Sequence, residues 1–114
     1  MNTSIFSLAE LEKADFSPFR PGVDALVLYG TPGVGPAAAI LRYRPGATIP
    51  AHRHLGHELV YVLSGSQSDE RGTHRAGTLV LNEPGSRHAV ESADGCIVLV
   101  VWERPIEMIS GDSR

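Results

Sequence analysis

Glycine and proline break this chain so often that an ordinary helix has no room to form. The breaks fall at Pro21-Gly22, residues 30–36, Pro45-Gly46, Gly65, Gly72, Gly77, Pro84-Gly85 and Gly95, as punctuation between short runs rather than as one linker. The runs at 25–29, 38–43, 59–63, 78–81 and 96–102 are mostly rich in Val, Ile, Leu and Tyr, which is the length and chemistry of strands. Many short strands between tight turns predict an all-β sandwich or barrel. The exception is near the start, where Ser7-Leu-Ala-Glu10 has the spacing of a capping box ahead of Leu11 and predicts a helix of at most two turns. Residues 110–114 read as a frayed tail.

The 114 residues fit one domain, 1–114, and the 42% apolar content is too high for a disordered chain. A domain of this size buries enough surface to fold without disulfides or a structural metal. A net charge of −3, with Lys13 as the lone lysine, argues against a nucleic-acid partner, because phosphate neutralisation needs a basic face. Cys96, the single cysteine, can form no intrachain disulfide and suits a reducing compartment, so the expected location is cytoplasmic. The N-terminal residues lack the charge and apolar core of a secretory signal, and no apolar run approaches the ~18 residues of a membrane span. The expectation is a small soluble protein without a membrane partner.

Alternation assigns side chains to faces. In Glu58-Leu-Val-Tyr-Val-Leu63, Glu58, Val60 and Val62 point one way and Leu59, Tyr61 and Leu63 the other. Both faces are apolar beyond Glu58, as in a strand covered by a second layer or a second subunit. Glu58 then ends a buried face, where its charge needs a positive partner. Just upstream, His52 and His54 stand two apart, which in a strand places both imidazoles on one face about 7 Å apart along the backbone. Gly56 lets the chain turn and bring Glu58 back beside them. The turn at Pro84-Gly85 delivers His88 to the start of another strand. Three imidazoles and a carboxylate form a site suited to one divalent transition metal such as zinc, iron, manganese, nickel or copper, and ill suited to calcium or magnesium.

These residues match a known pattern. Gly46, five residues, His52-x-His54, three residues, Glu58, six residues and Gly65 resemble the first signature of the cupins residue for residue. Gly77, Gly85 and His88 stand at the spacing of the second signature. Pro84 falls one place later than the family's usual proline, with Glu83 in that place and Ser92 where Asn is common. The string Asn82-Glu-Pro-Gly-Ser-Arg-His88, followed by Gly95-Cys96 and an apolar strand, most resembles the ChrR-type cupins, named for the C-terminal domain of a bacterial anti-sigma factor. The stretch from Phe19-Arg-Pro-Gly-Val-Asp to Tyr29 is similar to their opening strand. The resemblance covers about residues 16–104.

It implies a jelly-roll cupin barrel, or double-stranded β-helix, with six core strands and a metal held in its mouth by His52, His54, Glu58 and His88. It also implies a small-molecule ligand or substrate and a homodimer. The fold alone does not name a reaction. Some ChrR-type cupins are sensing domains, and others resemble dioxygenases that cleave diketone-like substrates. The expected function is a metal-binding, dioxygenase-like cupin, the alternative being a non-catalytic ChrR-like module with a structural zinc. Nothing in the sequence supplies the separate helical, zinc-binding domain of a full anti-sigma factor, so the expectation is that the chain is not a complete one.

Residues 42, 43, 57, 61 and 102 are the further pocket candidates. One of Arg42 and Tyr43 should point into the barrel, and an inward Arg42 would favour an anionic substrate. Tyr61 and Trp102 are candidate cavity residues or plain core. His57 lies opposite Glu58 in phase, which predicts a solvent or dimer contact, with a substrate contact or alternative ligand as the other reading. His74 is expected at the surface, and Cys96 buried and inert.

Overall fold

Each apolar run between Gly and Pro breaks forms a strand in the computed structural model, which describes residues 2–109. The tail read at 110–114 lies outside the described residues. The helix α1 (Leu8–Lys13) carries the full capping box, with Ser7 Oγ accepting from the Glu10 amide and Glu10 accepting from the Ser7 amide. Ten strands follow: β1 (Ser17–Arg20), β2 (Val23–Gly30), β3 (Ala37–Tyr43), β4 (Ala47–His54), β5 (Glu58–Asp69), β6 (Gly72–Arg75), β7 (Leu79–Asn82), β8 (Arg87–Ser92), β9 (Cys96–Trp102) and β10 (Ile106–Met108). No helix among the described residues is long and apolar enough to cross a membrane.

All pairings are antiparallel, and the strands follow the order β1-β2-β3-β9-β5-β8-β4-β10, with β6 and β7 also on β5. The result is an all-β jelly roll of two facing layers. The larger layer holds β1, β2, β3, β9, β7 and the first part of β5, and the smaller holds β10, β4, β8, β6 and the end of β5. β5 belongs to both because its ladder with β9 slips between Val62 and Ser64. Gly65 makes the crossing possible. Its φ is +73°, and a Cβ there would lie 2.1 Å from the Gly95 carbonyl oxygen.

The core fills the space between the layers, with Val23, Leu41, Val60, Val62, Val98, Val100 and Trp102 facing Ala47, Ile49 and Val90. A second cluster of Leu11, Ile40 and Ile97 lies on the outer side of the larger layer, where α1 covers it. Beyond α1 that outer face leaves Leu59, Tyr61, Leu79 and Leu81 exposed. Two-sided apolar patterning in β5 therefore has two causes, an inner core and an outer apolar face.

A second irregularity sets up the functional end. In β4, Ala47 and Ile49 face inward, and regular alternation would send His52 and His54 outward. The register with β8 slips between Ile49 and His52, at Pro50-Ala51, and this β-bulge reverses the phase so that both imidazoles join the inner face. Proline is tolerated there because the ladder is already interrupted.

Candidate metal centre

Three buried histidines converge at one end of the barrel. His52 and His54 come from β4 and His88 from the paired strand β8, where His88 stands directly opposite His52. Their candidate ligand atoms all lie within 4.8 Å of one another. The rings pack edge to face with centroids 5.1 Å (His52 and His54), 4.7 Å (His52 and His88) and 4.8 Å (His54 and His88) apart.

Each ring is fixed through its Nδ1. His52 Nδ1 lies 2.9 Å from the Pro50 carbonyl, and His88 Nδ1 lies 3.0 Å from Asp69 Oδ2. His54 Nδ1 meets the Ser86 carbonyl at 3.1 Å and Ser86 Oγ at 2.9 Å, while that hydroxyl donates to the Glu83 carbonyl. A nitrogen facing a carbonyl or carboxylate oxygen donates, so the proton sits on Nδ1 and a neutral ring keeps its lone pair on Nε2. Burial lowers the pKa of His52, helped by the neighbouring His88 and His54 rings against the Pro50 carbonyl and Glu58, which keeps that ring neutral near pH 7.

Glu58 begins β5 and approaches the cluster at His54, with Oε1 3.2 Å from Nε2. Burial alone would raise its pKa, but contact with His54 and the fields of His54, His52 and His88 outweigh burial and hold it down. Asn82 Nδ2 donates to the same oxygen at 3.0 Å. His54 Nε2 is buried and has no hydrogen-bond partner. A buried nitrogen and a carboxylate oxygen at that separation call for a positive centre between them, a proton or a metal ion, and a set of imidazole and carboxylate donors is that of a borderline divalent cation. The residues fit a transition metal.

Around the cluster runs a set of supporting groups that sequence reasoning missed. Asp69, at the end of β5, accepts from His88, from His74 Nε2 at 3.1 Å, and from Arg71 through both its backbone amide and its guanidinium. Arg71 also donates to Asn82 Oδ1 at 2.9 Å, so one guanidinium connects the group behind His88 to the group behind Glu58. Burial opposes ionisation of Asp69, yet Arg71, His88 and His74 hold its carboxyl far below the usual carboxylate range. The residues 64–75 read as a polar stretch, with Gly65 as its break. A glycine inside a strand also marks a bulge, and that was the available signal that β5 continues to Asp69.

Of the pocket candidates, Trp102 lines a cavity of about 270 Å3 beside His52, together with Phe19, Arg20, Leu41, Ile49 and Ile106. Tyr43 is the inward member of its pair, buried in the core below the cavity, and burial pushes its phenol pKa well up. The structure chooses against Arg42, leaves His57 in the solvent contact that its phase predicts, and corrects two expectations, Tyr61 in the cavity or core and His74 at the surface. Arg42 points outward, 3.5 Å from Asp24 and over the Phe16 ring. Tyr61 is 38% exposed on the outer face, because its phase is that of Leu59. His57 is exposed and held by Glu103 at 3.0 Å, away from the cavity. His74 is not a free surface residue, since Asp69 draws its half-buried ring inward. Cys96 is buried, and burial raises its thiol pKa against a bond from Ser92, which suits an inert thiol.

A jelly roll whose mouth gathers three histidines on paired strands defines a cupin with a candidate metal site. The family model described as the ChrR Cupin-like domain matches residues 6–106, and the chain belongs to that family. It is similar to a chain in the complex of SigE with the anti-sigma ChrR from Rhodobacter sphaeroides, at 28% identity and a TM-score of 0.71, over 81% of this chain and 51% of that one. It is also similar to a protein of unknown function with a cupin-like fold from Ralstonia eutropha JMP134, at 25% identity and a TM-score of 0.65, over 72% of this chain and 55% of that one. The chain thus spans about half the length of each of these two. An acetylacetone dioxygenase from Acinetobacter johnsonii shares the fold, with 16% identity and a TM-score of 0.80 over 100% of this chain and 81% of that one. None of the curated proteins matches the sequence.

Proposed function

We propose that this chain, as a single domain, binds one divalent transition metal through His52, His54, His88 and Glu58, and takes a small organic molecule in the adjoining cavity for a dioxygenase-like reaction. The observation that carries the reading is the arrangement of three Nδ1 atoms on oxygen acceptors with one candidate ligand atom from each ring gathered within 4.8 Å. A bound divalent ion would supply Lewis acidity toward a carbonyl or enolate oxygen and positions open to exogenous ligands. The protein's part is to hold the site in shape. Pro50, Ser86 and Asp69 keep the protons on Nδ1, Asn82 steadies the Glu58 carboxylate, and Trp102, Leu41 and Ile49 keep water from the cavity wall.

The likeness to the SigE–ChrR structure favours a second reading, a non-catalytic sensing module in which four protein ligands close a structural zinc. Metal content of protein purified without chelator or a metal-affinity step tests the shared part, with close to one metal per chain expected and none overturning it. Cobalt(II) substitution separates the two. An open site gives weak five- or six-coordinate absorption that responds to azide or a diketone, whereas a closed site gives intense tetrahedral bands that added ligands do not move. In this reading the protein is cytoplasmic and homodimeric, pairing through the exposed apolar face that carries Leu59, Tyr61, Leu79 and Leu81.

A further inference from the structure

The cavity beside His52 has apolar walls and one charged lining residue, Arg20. Arg20 and its neighbour Phe19 both line it, although consecutive residues of a regular strand face opposite ways. The register of β1 with β2 slips between Pro18 and Arg20, and at this irregularity both residues border the cavity as well as the neighbouring groove beside Asp24 and Arg44. The guanidinium lies 5.6 Å from the Phe19 ring centre, and Phe19 packs on Trp102 with ring centres 6.3 Å apart.

Among the described residues no carboxylate pairs with Arg20. Asp24, which shares a neighbouring groove with it, is engaged by Arg42 at 3.5 Å and Arg44 at 3.6 Å. None of the described acidic residues lines the cavity. A guanidinium against apolar walls with no counter-charge is a receptor for a planar anion, because Coulomb attraction strengthens where water is excluded and the fork matches a carboxylate. The charge balance of the metal centre agrees. A divalent ion held there by three imidazoles and one carboxylate would keep a net positive charge.

We infer that the cavity selects a small oxo-carboxylate, its carboxylate on Arg20, its carbonyl toward the His52 side, and its aliphatic body against Leu41, Ile49 and Trp102. The carbonyl end rests on the proposed metal site, whereas the carboxylate end rests on Arg20 alone. This assigns to Arg20 the anion selection that the sequence had offered to Arg42.

Calorimetric titration with 4-oxopentanoate and its uncharged isostere 5-methylhexan-2-one tests the inference, on cobalt-loaded and on metal-free protein. Wild type is expected to bind the oxo-carboxylate at least tenfold more tightly than the ketone in both forms. Arg20→Gln should remove that preference, the oxo-carboxylate losing more affinity than the ketone, and Arg20→Lys should keep part of it. Equal affinity for the two probes in wild type, or no binding of 4-oxopentanoate, overturns the inference without any variant having to fold. An equal loss of both probes in Arg20→Gln also overturns it. Failure to take up cobalt would defeat the metal reading, while the preference in metal-free protein would still report on Arg20.

Discussion

The two layers of the barrel are built from similar strands and carry different cargo. The larger layer is apolar on both faces, with Val60, Val62, Val98 and Val100 inside and Leu59, Tyr61, Leu79 and Leu81 outside. The smaller layer supplies all three imidazoles and the carboxylate behind His88. Both have a strand with an irregular register, in β1 and in β4, and each irregularity lies beside the cavity. The contrast teaches that the imidazoles are grouped on one layer while the other supplies the Glu58 carboxylate and most of the apolar burial, and that the site is aimed by breaks in regularity on both sides of it.

The separation makes graded predictions. Replacing His52 and His88 together by Ala should lower metal content from close to one per chain to near zero while circular dichroism still reports a β fold. Full occupancy by elemental analysis in that double variant would break the division. In the larger layer, Ile40→Ala should destabilise the protein by about 2–5 kcal/mol in urea unfolding and leave metal stoichiometry unchanged, since Ile40 is buried under α1 away from the histidines. Asp69→Ala should weaken metal affinity by about 10- to 100-fold in competition with a chelator, because His88 loses the acceptor that fixes its ring. An unchanged affinity would reduce Asp69 to a surface-loop anchor.

Smaller effects sharpen the same contrast. Leu79→Glu on the outer face should halve the solution mass toward the 12.2 kDa of one chain without altering metal uptake, as read by light scattering. A wild-type mass of one chain would instead remove the pairing face from the proposal. The smallest effect concerns acid. Asp69 has a folded pKa below its ordinary value of about 4, so its contribution to stability is fully present above that pH and is lost as pH falls below it. The stability difference between metal-free wild type and Asp69→Asn should therefore narrow as the pH is taken down from 5 to 3. A difference that stays constant over that range would assign the effect to packing.

Much of this was legible in the sequence where side-chain chemistry and period agree. The runs that became β2, β3 and β9, the capping box at Ser7 and the spacing of His52, His54, Glu58 and His88 all stood out. Legibility ended where regular alternation ended. The end of β5 was hidden because Gly65 reads as a break and residues 66–69 are polar, yet their backbone pairs with β6. Tyr61 was misplaced because both faces of β5 are apolar, so composition could not say which one is inside. Arg20 was passed over because a register irregularity, invisible in residue types, brings it and Phe19 to the border of one cavity.

The bulge at Pro50-Ala51 bears on how this strand can change in length. Ala47 and Ile49 face inward before it, so removing one of the two bulged residues would straighten β4 and still leave both histidines facing inward. Loss of a residue at Arg53 would instead throw His52 and His54 onto opposite sides. Indels are usually confined to turns, but here a strand next to the candidate metal centre has one spare position. The extra residue still has a use. With it, the Pro50 carbonyl is turned to hold the His52 ring, and a shorter chain would have to find another anchor for that imidazole.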